Sequence, residues 1–592
     1  MEVNRPLIYG ALTGSNGSRP YYEPHAIFIK FVKYDGCSAT YDLPYSERCQ
    51  HITKDGYCQD SMQYINYIKI LYCFIEKAES PAVDWIYIGV LFFLVFYLLQ
   101  VMGLLIGSFF ISAINYFAKR LRLSQSLAGA TILAVANSLA GIYTSLLHIK
   151  GSTTDLFNGS HASAIFTHSL VAGAVLVIRP FHIYRPIYIR DALFLLTLLA
   201  YIEYILKDDR IEMLECIPLF LFYIVFLITV TIDTIIIKRL SKDVRRKLKM
   251  LQAGETNEKL EKELEELQEE GVMEILMKDT VSVLDIETTR SGFVAEHANS
   301  RLFQQFLSSI NPVPRDDWRE ASCFQRFLLV IRAPFFLFFL LICPRVDYNL
   351  PNHGWSKLLN MLHVITGPFF FISIHKQIAD WSLFGVSIYF YLVAISVPIM
   401  IIVYFTSRTD SPPVYHLIYA VHAIWICMVL IRMMASETSS LTYTIGMASQ
   451  MSPTFIMVTL TTWEGGIGSL IANVALAYRG YQRMSFAACF GSPLFSMPVT
   501  FGARYLYRVL TSESGVAKVG QGPLGSTIHV ILFTIIFFPL MGNLVARDKG
   551  RKSLGVYRLL FYPIFLLFAL LAEFEIIHGH GTDHTDQRVK LN

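Results

Sequence analysis

Two apolar stretches of the chain are interrupted by glycines and by side chains that carry amide or hydroxyl oxygens. The first runs from Ala128 to Ser145 and the second from Thr444 to Gly502. Oxygens of this kind, together with backbone carbonyls, are the ligands that hard cations such as Ca²⁺ prefer. Irregular backbone at membrane depth survives only where it is buried in protein or lines a cavity. The candidate cation-binding residues are Asn137, Ser138, Thr144, Ser145, Glu437, Glu464, Ser469, Asn473 and Ser492.

Carboxylates are scarce among these candidates, which limits the negative charge available to a bound cation. Ca²⁺ usually takes about six to eight oxygen ligands, with carboxylates among them. Glu464 is interpreted either as a cation ligand or as a carboxylate that faces water or an arginine. Glu437 is interpreted either as a second ligand or as a structural hydrogen-bonding group. With these two acids at most, Ca²⁺ would be held weakly, whereas Na⁺, Li⁺ or K⁺ would bind more easily.

The elements that carry these residues are predicted from composition. The 592 residues are 54% hydrophobic and 16% charged. The apolar residues form long runs, and a run of about 18 or more residues is typical of a membrane span. The net charge of +4 is too small and too dispersed for nucleic acid binding. The sequence therefore predicts an all-α polytopic membrane protein that contacts the lipid bilayer and inorganic cations, with no enzymatic motif and no cofactor.

Charged loops give these spans an orientation. Loops rich in Lys and Arg lie on the cytoplasmic side of membrane proteins, so Lys119, Arg479 and the polar loop 238–325 are predicted to be inside. The span near 415–434 then runs opposite to the span near 86–117, as an inverted-topology repeat requires. The run 326–343 is short and flanked by arginines, which favours an interfacial or re-entrant helix. About 12 spans remain: 86–117, 125–147, 162–178, 191–206, 213–237, 358–375, 382–405, 415–434, 443–473, 486–503, 527–545 and 557–577.

This organisation divides the chain into two five-helix halves joined by two extra helices. The predicted parts are an external segment 1–83, a first half 84–237, an internal loop 238–325, re-entrant and extra helices 326–405, a second half 406–577 and an external tail 578–592. The external segment holds Cys37, Cys49, Cys58 and Cys73, which are interpreted as two disulfides of undetermined pairing or as free thiols. The triplets at Asn16 and Asn158 are candidate glycosylation sites.

The two polar-interrupted stretches resemble the α-repeats of the calcium/cation antiporter superfamily. The resemblance covers nearly the whole chain. It is closest to the cation/calcium exchanger branch, which includes the mitochondrial sodium/calcium exchanger. The matching residues are Asn137 and Ser138 in the first repeat, with Ile467, Gly468, Leu470 to Ala477, Gly480 to Met484, Ala488 to Gly491 and Pro493 to Phe495 in the second.

The sequence departs from the family pattern where the family carries its acidic residues. Gly141 stands at that position in the first repeat and Ser469 in the second. The resemblance implies a secondary active cation antiporter of the sodium/calcium exchanger type. It would work by alternating access, with its ion site at the midplane between the repeats. The departures leave two alternatives open: a transport-deficient homologue that acts as a regulatory or binding subunit, and an exchanger shifted to monovalent cations.

The membrane of residence is not resolved by these features. The mitochondrial inner membrane, the plasma membrane and an endomembrane all remain compatible with the sequence. The oligomeric state is not predicted.

Overall fold

The computed structural model describes most of the membrane part of the chain. The described residues are 45–54, 64–75, 81–121, 123–147, 149, 153–183, 185–252, 299, 301–313, 318–319, 321–449, 451–521, 524–545, 549–550, 552–574 and 576–577.

The first half consists of long helices, several of which contain one π-helical turn. Before it, α1 (Tyr45–Lys54) and α2 (Tyr67–Ile70) form a short N-terminal unit. The helices of the first half are α3 (Pro81–Leu105), continued through a π-turn into α4 (Ile111–Arg120); α5 (Gln125–Ala128), continued through a π-turn into α6 (Ala134–Leu147); α7 (Thr153–Phe166), continued through a π-turn into α8 (Ala172–Ile178); α9 (Arg185–Ile205); and α10 (Met213–Gln252).

The rest of the chain is also helical. In order, it forms α11 (Leu302–Ser309), α12 (Cys323–Ile342), α13 (Lys357–Ile374), α14 (Lys376–Ala379), α15 (Ile388–Thr406), α16 (His416–Ala448), α17 (Pro453–Ile456), continued through a π-turn into α18 (Thr462–Tyr478), α19 (Gln482–Thr511), α20 (Gly525–Val545) and α21 (Lys552–Glu573). Three short antiparallel pairs connect loops: β1 (Phe181–His182) with β6 (Lys549–Gly550), β2 (Arg210–Glu212) with β5 (Val516–Lys518), and β3 (Ser382–Leu383) with β4 (Val386–Ser387).

Eleven helices formed by the described residues are long and apolar enough to cross a membrane. These include α12, which the sequence interpretation treated as re-entrant. The chain before α12 and the chain after it meet at one end of the bundle. Gln305 donates a hydrogen bond to the Trp355 carbonyl (3.0 Å), and Lys357 donates to Asn299 (2.7 Å). These contacts place residues 299–305 beside residues 355–357, and the re-entrant interpretation of α12 stays a prediction.

One predicted boundary differs from the structure. Separate runs at 415–434 and 443–473 were predicted, but α16 continues to Ala448 and the next helix begins at Pro453. The polar residues that suggested a break bond back to the preceding turn: Thr438 donates to the Met434 carbonyl (2.9 Å) and Thr444 to the Ser440 carbonyl (2.8 Å). Because each hydroxyl finds a partner on its own helix, the helix passes through this polar stretch.

The helices α3–α4 and α16 run antiparallel. The rings of Tyr116, near the end of α4, and His416, at the start of α16, are 5.3 Å apart. At the opposite end, Tyr87 and Leu91 share a buried cluster with Leu441 and Ile445 of α16. The first helices of the two halves are thus related by inversion, as the fold prediction requires.

Candidate functional site

The two repeats place their backbone irregularity at equivalent positions. π-helical turns at Gly129–Leu133 and Met457–Thr461 begin 12 residues before Gly141 and 12 residues before Ser469. A π-turn changes the hydrogen-bonding register of a helix and is frequent at functional sites. The backbone then stays helical through Gly465 and Gly466. The irregularity is therefore a single π-turn ahead of the motif in each repeat, rather than a break at the glycines.

The glycines of the two repeats differ in what surrounds them. A Cβ atom built on Gly141 or Gly465 would meet no heavy atom within 4 Å, and both residues are exposed. In contrast, a Cβ on Gly466 would lie 2.7 Å from the Phe166 ring, and one on Gly468 would lie 3.2 Å from Ile106. Gly141 and Gly465 thus face open space, while Gly466 and Gly468 pack closely against other helices.

Helix α19 joins the two repeats. Ser138 of α6 donates a hydrogen bond to the Ser492 carbonyl (3.1 Å) as well as to its own Ala134 carbonyl (2.8 Å). The absence of a side chain at Gly491 permits this approach, because a Cβ there would lie 2.8 Å from the Cβ of Ala134. On the other side, Ser485 donates to the Asn473 carbonyl of α18 (2.9 Å). Three of the predicted site residues, Ser138, Ser492 and Asn473, therefore lie on α19 or bond to a residue of α19.

Two asparagine amides beside these contacts have unpaired polar atoms. Asn473 donates through Nδ2 to the carbonyl (2.8 Å) and hydroxyl (3.2 Å) of Ser469, and its buried Oδ1 has no hydrogen-bond partner. The buried Nδ2 of Asn137 also has none. Rotation of an amide exchanges its oxygen and nitrogen, so either asparagine can present an oxygen here. An unpaired buried polar atom is costly, and a bound cation would satisfy these amides.

The remaining candidate cation-binding residues are Thr144, Glu464, Ser145 and Glu437. Thr144 and Glu464 lie on α6 and α18, but their side chains are outside the described part of the structure. Ser145 contacts a positively charged group, because the Arg504 guanidinium donates a hydrogen bond to its carbonyl (3.1 Å) and lies 3.4 Å from its hydroxyl. A guanidinium at this position competes with a cation, so these contacts do not favour Ser145 as a cation ligand.

Glu437 of α16 forms hydrogen bonds with residues of the N-terminal unit. Its two carboxylate oxygens accept hydrogen bonds from the backbone N–H of Tyr64 (2.8 Å) and the hydroxyl of Tyr67 (2.9 Å). Burial and the adjacent carboxylate raise the pKa of the Tyr67 phenol well above its usual value, so the phenol remains a proton donor. The structure thus favours the structural alternative for Glu437.

Asn158 requires a correction. Its triplet was a candidate for glycosylation in a loop, but α7 begins at Thr153 and the Asn158 side chain is completely buried. A glycan needs an exposed asparagine, so Asn158 cannot carry one in the folded protein. The predicted span at 162–178 starts too late because the polar first turns of α7 are held inside the helical bundle.

The external segment is described only in part. A disulfide joins Cys49 of α1 to Cys73 in the π-turn that follows α2, with Cα atoms 4.8 Å apart. Cys37, Cys58, Asn16 and the tail 578–592 lie outside the described residues.

Sequence reasoning missed Ser163. This residue is exposed although its neighbours Ala162 and Ala164 on α7 are buried. Phe166, one turn further along α7, contacts Gly466 of the second repeat. The signal was the spacing of Ser160, Ser163 and Thr167, which recur every three or four residues along α7 and the π-turn that follows it. Within the part of the chain that the structure describes, no three His, Cys, Asp or Glu side chains form a metal site. The described side chains of Asn137, Ser138, Ser469, Asn473 and Ser492 carry amide and hydroxyl oxygens, which are neutral.

The chain is similar to known proteins over most of its length. A family model described as "Sodium/calcium exchanger protein" matches residues 91–232 and 419–571. The mitochondrial sodium/calcium exchanger protein of Rattus norvegicus is 24% identical over 92% of this chain and 90% of its own length. Cation/calcium exchanger 1 of Arabidopsis thaliana is 25% identical over 88% of each chain. A solved structure of the sodium-calcium exchanger NCX_Mj shares 11% identity with a TM-score of 0.40, covering 81% of this chain and 98% of that chain.

The matched segments coincide with the two inverted halves, and together they define a membrane transporter rather than an enzyme. The chain belongs to the sodium/calcium exchanger family.

Proposed function

We propose that this protein is a secondary active cation antiporter whose ion site lies between α6 and α18. The observation that carries the proposal is the open space at Gly141 and Gly465, beside amides whose polar atoms are unpaired. Open space in each repeat, with amide and hydroxyl oxygens on the same helices, is suited to a partly dehydrated cation. The two halves would expose it alternately to each side of the membrane. The cations are its cargo, and the proposal requires no cofactor.

The neutral character of the site favours monovalent cations over Ca²⁺. A divalent ion loses more hydration energy on leaving water, and dipoles alone rarely replace it. Gly141 and Ser469 supply no carboxylate where the family has one. We therefore infer faster exchange of Na⁺, Li⁺ or K⁺ than of Ca²⁺. The names of the rat and plant relatives refer to calcium exchange, which makes Ca²⁺ the necessary comparison.

Ion flux into proteoliposomes tests this proposal. Purified protein would be reconstituted with one cation inside, and uptake of each of Na⁺, Li⁺, K⁺ and Ca²⁺ would be measured. Asn473→Ala removes the unpaired Oδ1 and should lower flux. Glu464→Gln tests whether that acid is a ligand. Gly89→Ala is the control, because a Cβ at Gly89 meets no atom within 4 Å.

The second candidate function is a transport-deficient regulatory subunit. The bond between Arg504 and Ser145 favours it, since a fixed positive charge near the site opposes cation entry. Thermal melting would first show that the protein is folded. If that folded protein then gave no counter-ion-dependent flux for any of the four cations, the antiporter would be rejected and this alternative would remain.

We propose a mitochondrial membrane as the residence, from the printed names of the rat, mouse, human and chicken relatives. Fractionation of cells that express the tagged full chain tests it, and co-purification with plasma membrane markers alone would reject it.

A further inference from the structure

The segment between α12 and α13 contacts both membrane halves through one carboxylate. Ser112 of α4 donates a hydrogen bond to Asp347 Oδ2 (2.8 Å). Arg479, directly after α18, places Nη1 3.9 Å from the same oxygen and 3.3 Å from the Ser112 hydroxyl. We call these three residues the inner latch, because basic loops predict that this end of the bundle faces inside.

A second layer of contacts joins the same three elements. Tyr348, next to Asp347, stacks on Tyr116 of α4 with ring centroids 4.5 Å apart. The Lys119 ammonium lies 5.0 Å from the Tyr348 ring and 5.6 Å from the ring of Tyr481, which follows Arg479. Cation–π contacts of this kind are attractive and orient the partners. The latch is therefore supported by a neighbouring layer with the same connectivity.

The latch is coupled to the candidate site through α18. This helix carries Ser469 and Asn473 and ends at Tyr478, immediately before Arg479. Separation of α4 from α18 at the inner end must break the contacts of Arg479 with Ser112 and Asp347. Asp347 is largely buried, at 9% exposure, so its interactions are less screened by water than those of a surface acid.

We propose that Asp347 is a positioning residue of the transport cycle: it bridges the two halves and holds the inner end of the candidate site closed. This inference rests on the proposed function, because it assigns Asp347 a place in alternating access. The connecting segment thus acts as a latch between the repeats, and loss of its charge shifts the protein toward the state open to the inside.

A cysteine reporter measures this shift without requiring transport. Gly141→Cys places a thiol in open space, in a background where the exposed Cys323 is replaced by serine. A membrane-impermeant maleimide is then applied from the inner side. Asp347→Asn should accelerate labelling of the reporter about two- to fivefold, the range expected for loss of a partly exposed ion pair. Gly465→Cys, also in open space, provides a second reporter in the other repeat.

Exchanging the charges of Asp347 and Arg479 distinguishes loss of this contact from general destabilisation of the fold. Asp347→Arg and Arg479→Asp should each accelerate labelling, and the double variant should restore a rate near that of the parent. Asp410→Asn is the matched control, since Asp410 pairs with Arg408 (3.0 Å) near the same end but outside the latch. It should leave the labelling rate unchanged.

Equal labelling rates for the parent and Asp347→Asn, in protein with unchanged melting temperature, would overturn the latch. So would a double variant that labels as fast as the single ones. The proposed function is tested independently. If the protein moves no cation but Asp347→Asn still accelerates labelling, the inner latch is supported and the antiporter is rejected.

Discussion

At the residue scale, the main question is what Gly141 and Ser469 do in place of the family's acidic residues. Gly141 faces open space, and the hydroxyl of Ser469 accepts a hydrogen bond from the Asn473 amide. The position of Gly141 can therefore accommodate a longer side chain. Neither residue carries a charge, so these two positions lack the carboxylates that the family has there.

The first prediction restores that charge. Gly141→Asp combined with Ser469→Asp should raise Ca²⁺ affinity, because two carboxylates would replace much of the hydration of the ion. Two carboxylates that share one site repel each other when no cation is bound, which is costly. The melting temperature of the double variant should thus rise more with added Ca²⁺ than that of the parent. Asn substitutions at the same two positions are the control for size. An equal Ca²⁺ response of the Asp and Asn variants would contradict the prediction.

The second prediction concerns Glu437. Glu437→Gln removes the charge from two hydrogen bonds to Tyr64 and Tyr67, each of which contributes about 1.5–3 kcal/mol when a charged group takes part. The variant should melt at a lower temperature while its cation affinity is unchanged. Thermal melting with and without a titrated cation checks both parts. A loss of cation affinity at unchanged stability would instead make Glu437 a ligand.

At the element scale, close packing of α6 against α19 holds the two repeats together. Small residues at such contacts let helix backbones approach closely within membranes. Gly491 faces Ala130 and Ala134, and Gly129 lies so near the Met484 carbonyl that a side chain there would collide with backbone. Ser138 and Ser492 bond across this contact, so the spacing of the two helices also sets the geometry of the site.

The third prediction tests this contact. Gly491→Ala should destabilise the protein by about 1–3 kcal/mol, because an added methyl group would overlap Ala130 and Ala134. Gly542→Ala on α20 is the matched control, since a Cβ there meets no atom within 4 Å. Alanine is the better helix former, so the control should be neutral or stabilising. Thermal melting in detergent distinguishes the two; equal melting temperatures would show that α6 and α19 can separate without cost.

At the scale of the whole molecule, the two ends of the helical bundle should lie on opposite sides of the membrane. Strands β2 and β5 pair at one end, where Ser514 is exposed in the adjacent turn. Helix α10 begins at this end and continues for 40 residues. Because a helix rises about 1.5 Å per residue, its exposed basic residues lie well beyond the opposite face.

The fourth prediction follows from this arrangement. Single cysteines at Ser514 and Lys242 should react with an impermeant reagent from opposite sides of sealed vesicles. Lys242 is expected on the inside, because basic residues cluster in cytoplasmic loops. Permeabilised vesicles provide the control for reactivity. Labelling of both positions from one side would require a different topology.

The sequence alone was sufficient for the fold class, the inverted halves and the helices that carry the candidate site. Long apolar runs identify spans because a membrane helix must be apolar along its whole length. Basic loops orient those spans, and the glycine-interrupted repeats mark α6 and α18. Each of these signals lies within one short stretch of chain, and so it can be read without knowledge of the other stretches.

Only the tertiary structure decided how individual polar groups are used. It brought Glu437 to Tyr67 and Arg504 to Ser145, buried Asn158, and left Gly141 facing open space. The contact of Ser112 with Asp347 likewise joins residues 235 positions apart. A carboxylate or hydroxyl has the same sequence signature whether it binds an ion, another side chain or water. Its role depends on which distant element packs beside it, because polar groups inside a membrane protein take the partners that packing provides.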